Sequence, residues 1–214
     1  MSVRARLIAA LYDPMGAASE RAGLAARRRQ LLADARGRVI EVGAGTGLNL
    51  EHYPDGIAEL VLVEPEPAMA RKLEQRLREL GRAARIVEAS AEALPYPDGS
   101  FDTVVCTLVL CSVDDPSRAL TELRRVLRPD GSLLFLEHVR SQDPRTARLQ
   151  DRINPVWRFI SNGCNCNRST LSVIEGAISV DDVEHGEIPK ALRIVRPLVS
   201  GRAGPRPDKL RSDS

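Results

Sequence analysis

Short segments rich in apolar residues alternate along most of the chain with longer stretches in which apolar residues recur every three or four positions. The short segments lie at residues 39–42, 60–63, 84–88, 103–108 and 132–137. Segments of this length predict strands buried on both faces, and the longer stretches predict amphipathic helices. Because strands and helices alternate, we expect an α/β fold whose parallel sheet is covered by helices on both faces.

The longer stretches predict helices at residues 19–35, 68–80 and 116–127. In the first of these, the arginines at positions 27–29 should be mostly solvated. Residues 180–185 and 191–199 predict two last strands that pair as a hairpin. Residues 200–214 are rich in proline, glycine and charge, so we expect a disordered tail after a single domain at residues 1–199.

A glycine-rich turn follows the first predicted strand, in the segment VIEVGAGTGLNL at residues 39–50. Gly43, Gly45 and Gly47 allow the backbone to turn tightly and to approach a ligand closely. The spacing differs from the dinucleotide pattern G-x-G-x-x-G, because Leu48 stands where that pattern has its third glycine. The turn therefore favours a nucleoside cofactor that is not a dinucleotide, and hydride transfer is a remote alternative.

Two acidic residues should lie beside this turn. Glu41 precedes the first glycine by two residues, where negative charge is unfavourable for a pyrophosphate and favourable for a cationic group. Glu64 ends the second apolar segment, where a parallel strand can present a carboxylate to two ribose hydroxyls. Glu64 could instead only start the helix after Pro65, and both roles are compatible. S-adenosylmethionine (SAM), which carries a sulfonium and an amino group, fits these charges.

Several further motifs resemble a known family. The glycine turn, Glu64, the segment AEALPYPDGSFD (residues 91–102) and the segment LRPDG (127–131) are similar to class I SAM-dependent methyltransferases of the type 11 group. The segments VVCTLVLCSV (104–113), LRRVLRP (123–129) and EHV (137–139), with Trp157, Cys164 and Arg168, resemble the methyltransferase-like thiol S-methyltransferases. The resemblance implies a Rossmann-like sheet of seven mostly parallel strands with an antiparallel last strand. It also implies SAM as cofactor and S-adenosylhomocysteine as product.

The resemblance implies roles for individual residues. The methionine part of SAM would lie against the glycine turn and the end of the fourth strand, the ribose against Glu64, and the adenine against the segment after the third strand. The sequence departs from the animal relatives at Glu64, where they have aspartate, and at Ser90, where the family often has an adenine-contacting aspartate. The expected cofactor contacts are Tyr12, Glu41, Gly43, Ala44, Gly45, Gly47, Asn49, Glu64, Pro65, Ser90, Ala91, Glu92, Thr107 and Leu108.

The methyl acceptor is expected between N-terminal lid helices at residues 1–36 and a substrate cap at residues 141–175. Cys111 follows the fourth strand and Trp157 lies in the cap, and each could line the pocket or pack in the core. His138, at the end of the fifth strand, is the best placed of three histidines for a catalytic base, with a structural role as the alternative. The four cysteines have no zinc spacing, so no metal site is predicted.

Composition excludes other classes of function. Lys and Arg number 31 against 29 Asp and Glu, the net charge is +2, and aromatic residues make up 3% of the chain. With neither a basic excess nor many stacking residues, the protein is not expected to bind nucleic acid. No apolar segment approaches the roughly 20 residues of a membrane-spanning helix, so we expect a cytoplasmic protein without stable membrane insertion. The sequence carries no indication of the oligomeric state.

The best interpretation is an enzyme that transfers the methyl group of SAM to a small molecule. A thiol sulfur is the expected acceptor on the resemblance alone. The alternatives within this enzyme class are a phenol, a quinone precursor or a lipid amine, methylated at oxygen, carbon or nitrogen. The alternative of another class is a module that binds SAM or a protein partner without turnover.

Overall fold

One mixed sheet organises the computed structural model, which describes residues 3–161 and 163–205. Its strands are β1 (Arg38–Val42), β2 (Glu59–Val63), β3 (Arg85–Val87), β4 (Phe101–Thr107), β5 (Leu127–His138), β6 (Ser179–Glu187) and β7 (Pro197–Gly204). Across the sheet of the described residues they lie in the order β3-β2-β1-β4-β5-β7-β6. Of these seven, β7 runs antiparallel to its neighbours β5 and β6. The predicted Rossmann-like sheet with an antiparallel last strand is confirmed.

Helices lie on both faces of this sheet, as the alternating pattern predicts. They are α1 (Val3–Ser19), α2 (Ala25–Leu32), α3 (Pro67–Leu80), α4 (Pro116–Val126), α5 (Pro144–Ile160) and α6 (Thr170–Ala177). Leu32 of α2 and Leu73 of α3 are fully buried in one core cluster. Leu120 of α4 and Ile174 of α6 are buried in another cluster on the opposite face. None of the helices in the described part of the chain is both long and apolar enough to span a membrane.

The helix ends follow local sequence signals. Pro67 and Pro116 occupy the first turns of α3 and α4, where the missing N–H of proline costs nothing. The carboxylate of Asp115 accepts hydrogen bonds from the backbone N–H groups of Ser117 and Arg118 at the start of α4. These caps fix where each helix begins, and therefore which residues stay in the loops between the strand ends and the helices.

The carboxyl ends of β1 to β5 lie at one edge of the sheet because these five strands are parallel. The strand order reverses between β1 and β4, which are neighbours although two strands separate them in sequence. Open α/β sheets bind their ligands in the crevice at such a reversal. The glycine turn directly follows β1 and therefore borders this crevice.

The expected disordered tail is wrong over residues 200–204. These residues belong to β7, pair with both β5 and β6, and bury Ala203 completely. The segment SGRAG has no large apolar side chain, so composition does not indicate a strand here, and backbone pairing with the neighbouring strands holds it in the sheet. Residues 191–196, predicted to begin the last strand, instead include a short 3₁₀ turn at Arg193–Val195. Residues 206–214 of the expected tail lie outside the described residues.

Gly201→Ala should destabilise the fold. A Cβ at this position would lie 2.1 Å from the carbonyl oxygen of Asp182 and 2.8 Å from Cζ of Phe135. Because Asp182 belongs to the paired strand, we expect the free energy of unfolding, measured by urea denaturation, to fall by about 2 kcal/mol or more. Gly204→Ala is the matched control, since its nearest new contact would be at 3.5 Å. Equal stability of the two variants would contradict the placement of residues 200–204 in β7.

Candidate active site

The glycine turn is closed by backbone hydrogen bonds at the carboxyl end of β1. The N–H of Ala44 donates to the carbonyl of Val63 at 3.0 Å, and the N–H of Gly47 donates to the carbonyl of Ala44 at 2.9 Å. A Cβ at Gly43 would lie 2.4 Å from Val109, and a Cβ at Gly47 would lie 2.8 Å from two leucine side chains. At these two positions glycine is required by packing within the protein, in addition to the tight turn and the close approach to a ligand that the sequence predicts.

Gly45 differs from its two neighbours because it borders open space. Its φ is 57°, which favours glycine, and a Cβ would meet only the Gly43 carbonyl, at 4.0 Å. Its N–H donates to Oε2 of Glu64 at 2.8 Å. The turn therefore presents bare backbone towards the crevice at this position, which leaves room for a ligand.

Glu64 is held firmly at the end of β2. Its Oε1 accepts from the N–H of Glu66 at 2.9 Å, while its other oxygen accepts from Gly45. The residue is 6% exposed, and burial raises the pKa of its carboxyl above the ordinary value, against the opposing effect of the two backbone donors. A carboxylate fixed in this way needs little reorganisation to accept hydroxyl donors from a ligand. Pro65, the next residue, is exposed.

Glu41 lies beneath the turn in a buried polar network. Its carboxylate accepts from Nδ2 of Asn49 and from the hydroxyl of Tyr53, both at 2.8 Å. Burial raises the pKa of Glu41 to about 7, so near neutral pH its charge is only partial. From the sequence alone, negative charge is expected here. Direct cofactor contacts of Glu41 and Asn49 stay predictions, and their observed partners indicate that both residues support the turn.

Arg28 completes this network, and the expectation that it is solvated is wrong. It is 4% exposed, and its guanidinium donates to Oδ1 of Asn49 at 2.9 Å and to Oγ1 of Thr107 at 3.2 Å. Its charge is paired with Glu20 at 3.1 Å. No helical spacing rule relates the two residues, because Gly23, with φ 139°, kinks the helix between them and the ion pair forms across this kink.

The first helix docks on the glycine turn through Asp13. One carboxylate oxygen accepts from the hydroxyl of Thr46, and the other accepts from Arg76 of α3 at 3.1 Å. The adjacent Tyr12 is 40% exposed, yet desolvation of its hydroxyl raises the pKa of Tyr12 to about 12, with Cys111 close enough to contribute. Tyr12 therefore lies between the glycine turn and Cys111, and its role as a lid over the cofactor stays a prediction.

The segment after β3 lies along the same edge of the sheet. Ala91 is buried and Ser90 is exposed, and the hydroxyl of Ser90 accepts from the N–H of Glu92 at 3.2 Å. The carboxylate of Glu92 accepts from the N–H of Asp115 at 2.8 Å. Glu92 therefore ties this segment to the start of α4, and the adenine contacts of all three residues stay predictions.

Glu137 fixes the segment that follows β4. Its Oε1 accepts from the N–H groups of Val109 and Leu110, at 2.9 Å and 3.1 Å, and burial raises the pKa of its carboxyl. Leu108, which begins this segment, has φ 59°, a conformation uncommon for leucine. Since Val109 also packs against Gly43, the segment joins the glycine turn to the residues around Cys111.

A second group of predicted residues meets beyond this segment. Nε2 of His138 lies 2.7 Å from Sγ of Cys164, and the indole N–H of Trp157 donates to the same sulfur at 3.4 Å. Cys111 and His138 are buried and Cys164 is half-buried. Hydrogen bonding to the Cys111 thiol, followed by burial, raises the pKa of Cys164. We call Cys111, His138, Cys164 and Trp157 the thiol pocket.

The thiol pocket is assembled from distant parts of the chain. Cys164 lies between α5 and α6, and the side chain of Asn165 donates to the carbonyl of Cys111 at 3.2 Å. The guanidinium of Arg168 donates to the carbonyl of Val113 at 2.8 Å. These bonds hold the loop after α5 against the segment after β4. Sequence reasoning missed Cys164 as a pocket residue because no spacing pattern relates it to His138.

Comparison with known proteins agrees with this architecture. A family model described as a methyltransferase domain matches residues 40–135. Human thiol S-methyltransferase TMT1A is 36% identical over 170 residues, which are 77% of this chain and 69% of that protein. The chain belongs to this methyltransferase family. Human thiol S-methyltransferase TMT1B is also 36% identical, over 80% of this chain and 73% of that protein.

Solved structures show the same fold. The YcgJ protein of Bacillus subtilis superposes with a TM-score of 0.63 at 20% identity, over 86% of this chain and 95% of that one. The methyltransferase family uses SAM, so the protein is a SAM-dependent methyltransferase. The predicted family, fold and enzyme class are thereby confirmed, whereas the individual site residues stay predictions.

Glu41→Gln should change the pH dependence of stability. Burial raises the pKa of Glu41 from 4.5 to about 7, so between these values the folded protein holds a proton that the unfolded chain has released. The contribution of Glu41 to the free energy of unfolding of the wild type therefore falls as pH rises through this window. Glutamine does not titrate, so the free energy of unfolding of the variant, relative to that of the wild type, should rise by up to about 3 kcal/mol between pH 4.5 and pH 8. Urea denaturation at a series of pH values measures this, and parallel profiles would contradict the assignment.

Proposed function

We propose that this protein transfers the methyl group of SAM to the sulfur of a small thiol. The observation that carries the proposal is the thiol pocket, in which two cysteines, a histidine and a tryptophan meet beside the segment that packs on the glycine turn. A pocket lined with sulfur and an indole suits a small, polarisable, partly apolar acceptor. The relatives named thiol S-methyltransferases support the same acceptor.

Two features of the crevice support SAM as its ligand. The open space at Gly45 admits a ligand against the backbone, and the fixed carboxylate of Glu64 can accept two ribose hydroxyls. Thr107 and Leu108 would border the methionine part, with Tyr12 above it and Ser90, Ala91 and Glu92 near the adenine. When bound, SAM supplies an electrophilic methyl group on a positively charged sulfur.

A thiol acceptor explains why the pocket needs little acid–base machinery. A thiol of ordinary pKa, about 8.5, is a few per cent thiolate at neutral pH, and the thiolate is already a strong nucleophile. The remaining task of the protein is to hold the acceptor in line for attack and to exclude water, which can contribute roughly 7 to 11 kcal/mol. A phenol or an amine would need a base, for which His138 is the candidate.

Glu64→Ala should weaken SAM binding at least about tenfold in isothermal titration calorimetry. The substitution removes the proposed ribose acceptor and leaves the N–H of Gly45 without its partner. Glu66→Gln is the matched control, because an amide oxygen at residue 66 can still accept from the N–H of Ala68. Unchanged affinity in Glu64→Ala would mean that this carboxylate only starts α3.

The acceptor class is tested by mass spectrometry on a mixed panel of small thiols, phenols and amines incubated with the protein and SAM. We expect S-adenosylhomocysteine together with a methyl thioether. A methylated phenol or amine would keep the enzyme class and overturn the thiol assignment. SAM binding without any methylated product from the panel would contradict the proposed acceptor and favour a binding module.

A further inference from the structure

Three residues of the thiol pocket each bring one metal-ligating atom to within 4.8 Å of the other two. They are Cys111 after β4, His138 at the end of β5, and Cys164 between α5 and α6. We propose that Cys111, His138 and Cys164 form a Zn²⁺ site whose fourth coordination position is open to the acceptor thiol. The ion site needs only these three side chains, whereas the assignment of its fourth position rests on the proposed function.

The chemistry of the three ligand atoms favours Zn²⁺ over harder divalent cations. Two thiolates and one imidazole are soft and borderline ligands, which suit Zn²⁺ and disfavour Mg²⁺ and Ca²⁺. Three protein ligands with one open position are typical of catalytic zinc, whereas structural zinc usually has four protein ligands. The three residues therefore match the open class of site.

The spacing of the ligand atoms is compatible with such an ion. In a tetrahedral site with Zn–S near 2.3 Å and Zn–N near 2.0 Å, the ligand atoms lie roughly 3.5 to 3.8 Å apart. The 2.7 Å between His138 and Cys164 would have to widen by about 1 Å, by the same geometry. Cys164 lies in a loop and is half-buried, so this adjustment falls on the least constrained of the three ligands.

His138 can offer one of its two ring nitrogens to the ion. The residue is 4% exposed, and its Nδ1 is buried without a hydrogen-bond partner among the described residues. A buried polar atom left unpaired costs about 1 to 3 kcal/mol, so native proteins seldom keep one without a reason. Since Nε2 is the nitrogen that faces Cys164, Nε2 is the ligand atom of the proposed site, and Nδ1 is the nitrogen that would keep the proton.

The surroundings also suit metal-bound sulfur. The indole N–H of Trp157 can only donate, and it donates to Sγ of Cys164, a contact that a metal-bound sulfur can also accept. The backbone N–H and the side chain of Asn165 both donate to the carbonyl of Cys111, at 2.8 Å and 3.2 Å. Contacts of this kind orient the ligands of metal sites.

The open position would activate the acceptor. On binding, the S–H bond of the acceptor thiol breaks, its sulfur forms a bond to the ion, and the proton leaves to solvent. The sulfur then uses an electron pair to form the new S–C bond, while the S–C bond of the sulfonium breaks and its electron pair stays on S-adenosylhomocysteine. No net oxidation or reduction occurs. The neutral thioether product is a weaker ligand than a thiolate, so its release is favoured.

Metal binding is tested on the full-length protein, purified reduced and stripped with a chelator. Titration with Zn²⁺ against a chromophoric chelator should show one tight site per chain, and Co²⁺ should give the thiolate-to-metal absorption of a tetrahedral site. Cys164→Ser should lower the Zn²⁺ affinity more than about 100-fold, because even changes around a ligand cost 10- to 100-fold. Cys166→Ser is the matched control, since its sulfur contacts the carbonyl of Gln150 outside the site, and its affinity should be unchanged.

Equal zinc affinity in Cys164→Ser and Cys166→Ser would overturn the site, as would the absence of both zinc binding and the cobalt spectrum. Methylation of the mixed panel with and without Zn²⁺ separates the two proposals. Tight zinc binding without any thiol methylation refutes the proposed function and leaves the site, whereas full thiol methylation by the stripped protein refutes the role of the fourth position.

Discussion

Burial of the Arg28 guanidinium under the glycine turn is the interaction on which the rest of the site depends. The guanidinium contacts Asn49 of the turn, Thr107 of β4 and Glu20, which lies on the other side of the kink at Gly23. A buried charge is tolerated only when it is paired and fully hydrogen-bonded, so this arrangement admits few alternatives. Through it the N-terminal helices, the end of β1 and the end of β4 hold one relative position, and Tyr12 is carried to the crevice.

The site has two halves with different physical characters. The cofactor half is built from backbone and carboxylate: the open backbone at Gly45 and the doubly held Glu64. The acceptor half is built from side chains of three separate segments, gathered at Cys164. Val109 connects the halves, because it packs on Gly43 while its N–H is held by Glu137. Such a division lets the acceptor half vary while the cofactor half is retained.

The cofactor half could be predicted from the sequence because its signals are local. The glycine spacing and the carboxylate at the end of β2 each lie within a few residues of the strand that positions them, and strand alternation gave the sheet. Arg28 could not be predicted, since helical periodicity alone makes an arginine solvent-facing. The thiol pocket could be predicted only in part. Cys111, His138 and Trp157 were candidates from the sequence, but their contact with Cys164 depends on tertiary structure. The strand at residues 200–204 was missed because it is held by backbone pairing, which composition does not reveal.

The central claim is that one continuous crevice holds the cofactor at Glu64 and the acceptor at the thiol pocket. A crystal structure of the protein with S-adenosylhomocysteine and a small thiol tests it most directly. The account predicts ribose hydroxyls on the Glu64 carboxylate, the homocysteine sulfur facing the thiol pocket, and the acceptor sulfur at the thiol pocket on the side of the cofactor. A nucleoside bound away from Glu64, or an acceptor sulfur separated from the thiol pocket by the chain itself, would contradict it.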